Sequence, residues 1–106
     1  MAQFDVHRNT GKLREAIPYV VLVQSALYDA YRRRVVFPLA RRSALGQVDS
    51  PGLNPVFEIE KVAVVLHPLE IVSVANDQLG EFVVSLAGEG DRITAALDEL
   101  LTRAWG

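Results

Sequence analysis

The stretch "YRRRVVFPLARR" gathers five arginines: Arg32, Arg33, Arg34, Arg41 and Arg42. A guanidinium presents a rigid planar fork of donors that matches carboxylates and phosphates in a bidentate way. The chain has 11 basic and 13 acidic residues and a formal net charge of −2, with the acids collecting from Glu58 onward. The molecule as a whole is therefore no polyanion binder, but a local basic patch fits this distribution. As a group the arginines suit an acidic segment of a partner, with phosphate as the other option. Singly, each would also serve as charge that protects a strand edge. The other residue of note is Trp105, the only tryptophan, in "LLTRAWG". Indoles are enriched at binding surfaces, and a terminal segment is poorly ordered unless something ties it down. Trp105 either folds onto its own protein or meets a partner, where it could stack on a cation.

Residues for covalent or acid–base chemistry are sparse. Ser25, Ser43 and Ser85 have no evident partner for a nucleophilic site. His7 and His67 stand in different surroundings and suggest no metal pair; both read as ordinary histidines. There is no cysteine, hence no disulfide and no thiolate metal site. No glycine-rich phosphate loop is present. The expectation is a protein without catalytic residues, metal or cofactor.

The length, 106 residues, suits one domain spanning 1–106, and 50% hydrophobic with 23% charged residues is a soluble globular composition. No segment approaches the run of about 18 apolar residues a membrane helix needs, and "MAQFDVHRNTGK" lacks a signal-peptide core. A cytoplasmic location is expected.

The elements that must position these residues follow from periodicity. "QFDV" alternates and reads as a strand, and "NTGK" as a turn. "IPYVVLVQS", residues 17–25, is a continuous aliphatic run, predicted to be a central strand buried on both faces. "VVFPLA", 35–40, is a further strand; Pro38 cannot donate to a ladder, which places it at an edge or a strand end. "SALGQVDSPGLNPV" reads as a long loop. Phe57 and Ile59 alternate with Glu58 and Glu60, and Val62, Val64 and Leu66 continue after a reversal at Glu60-Lys61, a hairpin pattern. "EIVSV" and "EFVVSLA" fit short strands or helical turns.

A helix is predicted from about Asp91, its N-cap, to about Ala104. Ile93, Ala96, Leu97, Leu100, Leu101 and Ala104 form a stripe of roughly 140°, and a further helical residue, Trp105, would stand about 100° from its centre. The order of elements gives an α+β class: a compact barrel-like sheet of mainly antiparallel strands with a C-terminal helix.

"MAQFDV", "YVVLVQSALYD", "RRRVVFPLA", "LGE…VSLA", "DRITAALDELL" and "WG" resemble, in this order and nearly end to end, the CcdB family of toxins. The resemblance implies an SH3-like small barrel with a C-terminal α-helix, shared with MazF-type RNases, and a homodimer. It implies a toxin of a toxin–antitoxin module that binds the A subunit of DNA gyrase, traps the enzyme on cleaved DNA, and is neutralised by a CcdA-like antitoxin. It implies no enzymatic activity, no specific DNA binding and no membrane.

In the family a terminal Trp-Gly-Ile and two aliphatic residues after "VQS" contact gyrase. Trp105 and Gly106 match that terminus, without the Ile, and Leu27 and Tyr28 stand where the aliphatics stand. Aligned without gaps from Ile93, the segment falls instead on Leu101, Thr102 and Arg103. The implied gyrase contacts are thus Trp105, Gly106, Arg103, Leu101, Asp98, Leu27 and Tyr28. Arg32, Arg33, Arg34, Arg41 and Arg42 are the expected antitoxin contacts. Two alternatives remain: a MazF-type endoribonuclease using His7 and the arginines, and an inactive or retargeted homologue.

Overall fold

The computed structural model describes residues 2–45 and 52–103, with backbone alone for 102 and 103. Seven strands form one curled antiparallel sheet: β1 (Asp5–Arg8), β2 (Tyr19–Leu22), β3 (Arg33–Arg41), β4 (Val56–Ile59), β5 (Val62–Leu66), β6 (Val72–Ala75) and β7 (Phe82–Ser85). A short helix α1 (Arg42–Leu45) follows β3, and α2 (Gly90–Asp98) packs on the sheet near the C-terminus. The strand order is β4-β5-β3-β2-β1-β7, and β6 also pairs with β3. This is the expected α+β small barrel with a C-terminal helix. Among the described residues no helix is long and apolar enough to cross a membrane.

Cross-strand partners share a face, so the registers locate the core. Val21 pairs with Phe37, Tyr19 with Leu39, Leu39 with Leu66, and Phe57 with Val64. All of these are buried, together with Val6, and α2 covers them with Ile93 and Ala96. The opposite face is also apolar: Leu22, Val36, Ala40 and Val65 are buried there. With both faces covered, the central strands carry little alternation, which is why 17–25 reads as a continuous run.

Pro38 does not mark an edge. β3 pairs with β2 along one side, and along the other with β6 (Arg33–Val36) and β5 (Leu39–Arg41). The Pro38 carbonyl accepts from the His67 N–H at 3.0 Å. Its missing donor faces the same way, into the handover between β6 and β5, where no ladder bond is forfeited.

The β4–β5 hairpin reverses at Glu60-Lys61, as its alternation predicts. Both residues have positive φ, 51° and 66°, the signature of a type I′ turn. Phe4 also lies in the left-handed region, at φ 70°. Its N–H donates to Leu22 and its carbonyl accepts from Leu86, so hydrogen bonds on both sides hold it there.

α2 begins one residue before Asp91. The N-cap is Glu89, without a side-chain cap bond, and Asp91 sits in the first turn, where its charge favours the helix dipole. Gly90 lies under the Phe4 ring: a Cβ there would come within 2.6 Å of it. Glu99–Arg103 continues the helical path as a π-turn. Its i→i+5 winding rotates each residue by less than the α-helical 100°, so the stripe drifts off the sheet. Leu97 is half-buried, whereas Leu101, expected in the packed stripe, is 62% exposed.

Candidate functional site

"VQS" builds a loop between β2 and β3. The Ser25 side chain accepts from the Leu27 N–H at 3.2 Å and caps a 3-10 turn, Ala26–Tyr28. The Gln24 amide donates to the carbonyls of Tyr28 and Arg33, each at 3.2 Å, and accepts from the Val35 N–H at 3.1 Å. The turn lifts Leu27 into solvent at 80% exposure, with Tyr28 and Tyr31 exposed beside it. The two tyrosine rings stand 6.1 Å apart, tilted by 47°. Tyr28, Tyr31, Gln24, Ala30, Arg32 and Arg33 line an open groove of about 560 Å³.

The five arginines do not form one patch. Arg32 and Arg33 are exposed at one end of β3; Arg41 and Arg42 stand at the other. Arg41 lies eight positions along the strand from Arg33, roughly 26 Å at the extended rise. Arg33 donates to the Ser73 side chain at 3.0 Å and to the Ser73 carbonyl at 2.5 Å. Arg41 donates from Nε to the Glu15 carbonyl at 2.8 Å, and Arg42 is exposed at the start of α1.

Arg34 is turned inward, with 4% exposure. Its guanidinium donates to the carbonyls of Asp29, Tyr31 and Arg33 and pairs with Asp29 at 4.0 Å. A run of three arginines carries no signal for which one points inward, so the expectation for Arg34 as a surface contact gives way to an internal role.

The second half of the expected site is the end of α2. Asp98 is exposed there and Leu101 projects into solvent. Arg92 fastens the helix to β4: it lies 4.4 Å over the Phe57 ring, donates to the Val56 carbonyl at 2.7 Å and pairs with Glu89 at 3.1 Å. Leu97 and Thr94 share a small cleft with Val23, the residue before Gln24. The helix thus lies beside the end of β2, at the residue where the Gln24–Arg34 loop begins. Arg103 is described by its backbone alone, and Trp105 and Gly106 lie outside the described residues.

His7 does not suit a catalytic base. It is 6% exposed, its Nδ1 meets the Gly80 carbonyl at 2.9 Å, and its ring lies edge-on to Phe82. A buried imidazole cannot reach the phosphate of a bound RNA. His67 is half-buried, with its Nδ1 enclosed and unpartnered. No group of three or more metal-ligating side chains occurs among the described residues.

One polar cluster went unread in the sequence. Arg8 donates twice to the Glu60 carboxylate, at 3.0 and 2.8 Å, and the Tyr19 hydroxyl donates to it at 2.5 Å. The Arg8 and Tyr19 hydrogen bonds hold the Glu60 carboxyl below its ordinary range. Burial, and then the bond to Glu60, pushes the Tyr19 phenol up. The cluster ties the strained hairpin turn to β1 and β2, and no sequence spacing announces it.

No curated protein matches the chain. The family model described as CcdB protein matches residues 3–103.

Proposed function

The chain belongs to the CcdB family, the toxin side of toxin–antitoxin modules, and on that premise we propose that it poisons DNA gyrase. In this reading it docks on the A subunit and holds the enzyme on cleaved DNA, acting in the cytoplasm. The observation that carries the reading is the exposed apolar Leu27–Tyr28 turn after "VQS", with Leu101 exposed in the turn that follows α2. Leu27, Tyr28, Asp98, Leu101, Arg103, Trp105 and Gly106 are the proposed gyrase contacts. No chemistry is required of the toxin. It must bind the cleaved-complex state of gyrase better than the resting state, and the difference in affinity sets the shift.

A CcdA-like antitoxin would neutralise it. Arg32 offers a guanidinium fork beside the tyrosine groove, Arg33, held by Ser73 through Nε and Nη2, adds its charge there, and Arg41 and Arg42 offer a second, separate pair for an acidic segment. Arg34 contributes by shaping the loop. A two-fold homodimer presents two copies of the docking side to a two-fold target. Val72 and Phe82, both about half exposed on the face opposite the core, supply apolar surface for it.

The test is expression in a gyrase-sensitive host. Growth arrest with intact total RNA and altered plasmid supercoiling supports the reading. Specific RNA cleavage would transfer the protein to the endoribonuclease class, and normal growth would make it an inactive homologue.

A further inference from the structure

Three large apolar side chains, Leu27, Tyr28 and Tyr31, crowd the tip of the β2–β3 loop in solvent. A plain connection would be polar there, and contiguous exposed apolar surface marks an interaction site. The loop is also built at a cost. Arg34 is nine-tenths buried and spends its guanidinium on three carbonyls of the loop itself. Taking a guanidinium out of water is unfavourable unless its donors are satisfied. Gln24 uses both ends of its amide on Tyr28, Arg33 and Val35. Together these two side chains reach the carbonyls of Tyr28, Asp29, Tyr31 and Arg33, so the tip is fixed from within at four backbone positions. Such fixing lowers the ordering entropy a loop would lose on binding.

We infer that Tyr31 is a further partner-contacting residue, and that Gln24 and Arg34 are positioning residues that preform the Leu27–Tyr31 tip for docking. The inference rests on the gyrase reading and extends it. The groove between the Tyr28 and Tyr31 rings, with Arg32 and Arg33 on its wall, takes an apolar side chain of the gyrase A subunit flanked by a carboxylate. The lining suits that occupant: the tyrosine rings and the Ala30 methyl are apolar, and Arg32 and Arg33 are cationic.

The experiment compares wild type with Tyr31→Ala, Gln24→Ala and Leu27→Ala. Each is titrated with purified gyrase A subunit by calorimetry, and amide exchange is measured in the free toxin. Gln24 is preferred to the buried Arg34 because its replacement leaves the core intact. Tyr31→Ala is expected to weaken binding about tenfold with Tm and loop exchange unchanged. Gln24→Ala is expected to speed exchange at residues 27–32 and at Val35, whose N–H loses its acceptor, about tenfold, weaken binding, and leave exchange in β2 and from Val36 onward in β3 unaltered. Wild-type affinity in Tyr31→Ala overturns the contact. Unchanged loop exchange or unchanged affinity in Gln24→Ala overturns the positioning role. If wild type itself does not bind gyrase, the parent reading fails and the Tyr31 contact with it, while the exchange data alone decide whether Gln24 preforms the loop.

Discussion

At the residue scale, the Arg8–Glu60–Tyr19 cluster shows how a side chain sets a backbone. Type I′ turns favour Asn-Gly because both central residues need positive φ. Here Glu60 and Lys61 adopt that conformation, and the Glu60 carboxylate is held by three hydrogen bonds. Glu60 has its folded pKa lowered, so its contribution to stability is present above the ordinary carboxylate range near pH ~4 and is lost as pH falls through the depressed value. Tyr19 has its pKa raised, so its contribution is present below the ordinary phenol value near ~10 and is lost as pH rises through the raised one. Glu81 also attracts Arg8, and Lys61 is adjacent in the turn. Urea midpoints across pH should show wild type more stable than Glu60→Gln at neutral pH, with the gap closing in acid. A gap that persists unchanged below pH ~3 would remove the cluster from the account. Arg34→Ala should cost about 3 kcal/mol, because three loop carbonyls lose their donor and the buried side chain leaves a void; chemical denaturation measures it.

At the element scale, the helix was the most legible part of the sequence, because apolar residues recurring every 3.6 positions fit a helix with one buried face and fit no strand. Its α-helical part ends at Asp98, and the π-turn sends Leu101 outward, a rotation that no periodicity announces. The alternation of Phe57, Ile59, Val62 and Val64 likewise placed the hairpin. The strands β6 and β7 were faint because Val72, Phe82 and Val84 remain exposed, so alternation there carries no burial signal. Pro38 misled because its missing donor falls at the one gap between two partners of β3. Ile93→Ala should lower stability by about 3 kcal/mol, since the side chain is 1% exposed beneath α2. Gly90→Ala should cost about 1–3 kcal/mol by driving a methyl into the Phe4 ring. Thermal or urea unfolding reads both. Trp105→Ala separates contact from packing: loss of growth arrest at unchanged Tm assigns the indole to the partner, and a large fall in Tm assigns it to the protein's own core.

At the scale of the whole molecule, a nine-residue strand, β3, organises the sheet and carries the arginines at both ends. That is why a cluster in sequence becomes two separate cationic regions in space. The candidate site was legible to the extent that "VQS" and the terminal helix mark it. The internal bonds of Gln24 and Arg34 were not, because they depend on loop closure rather than on spacing. The central claim is that this protein traps gyrase on broken DNA, and the most direct measurement is a cleavage assay with purified gyrase, supercoiled plasmid and ATP. Addition of the protein should accumulate linear DNA covalently attached to the A subunit, released by protease treatment. Supercoiling and cleavage that stay normal while the protein still arrests growth would contradict the account.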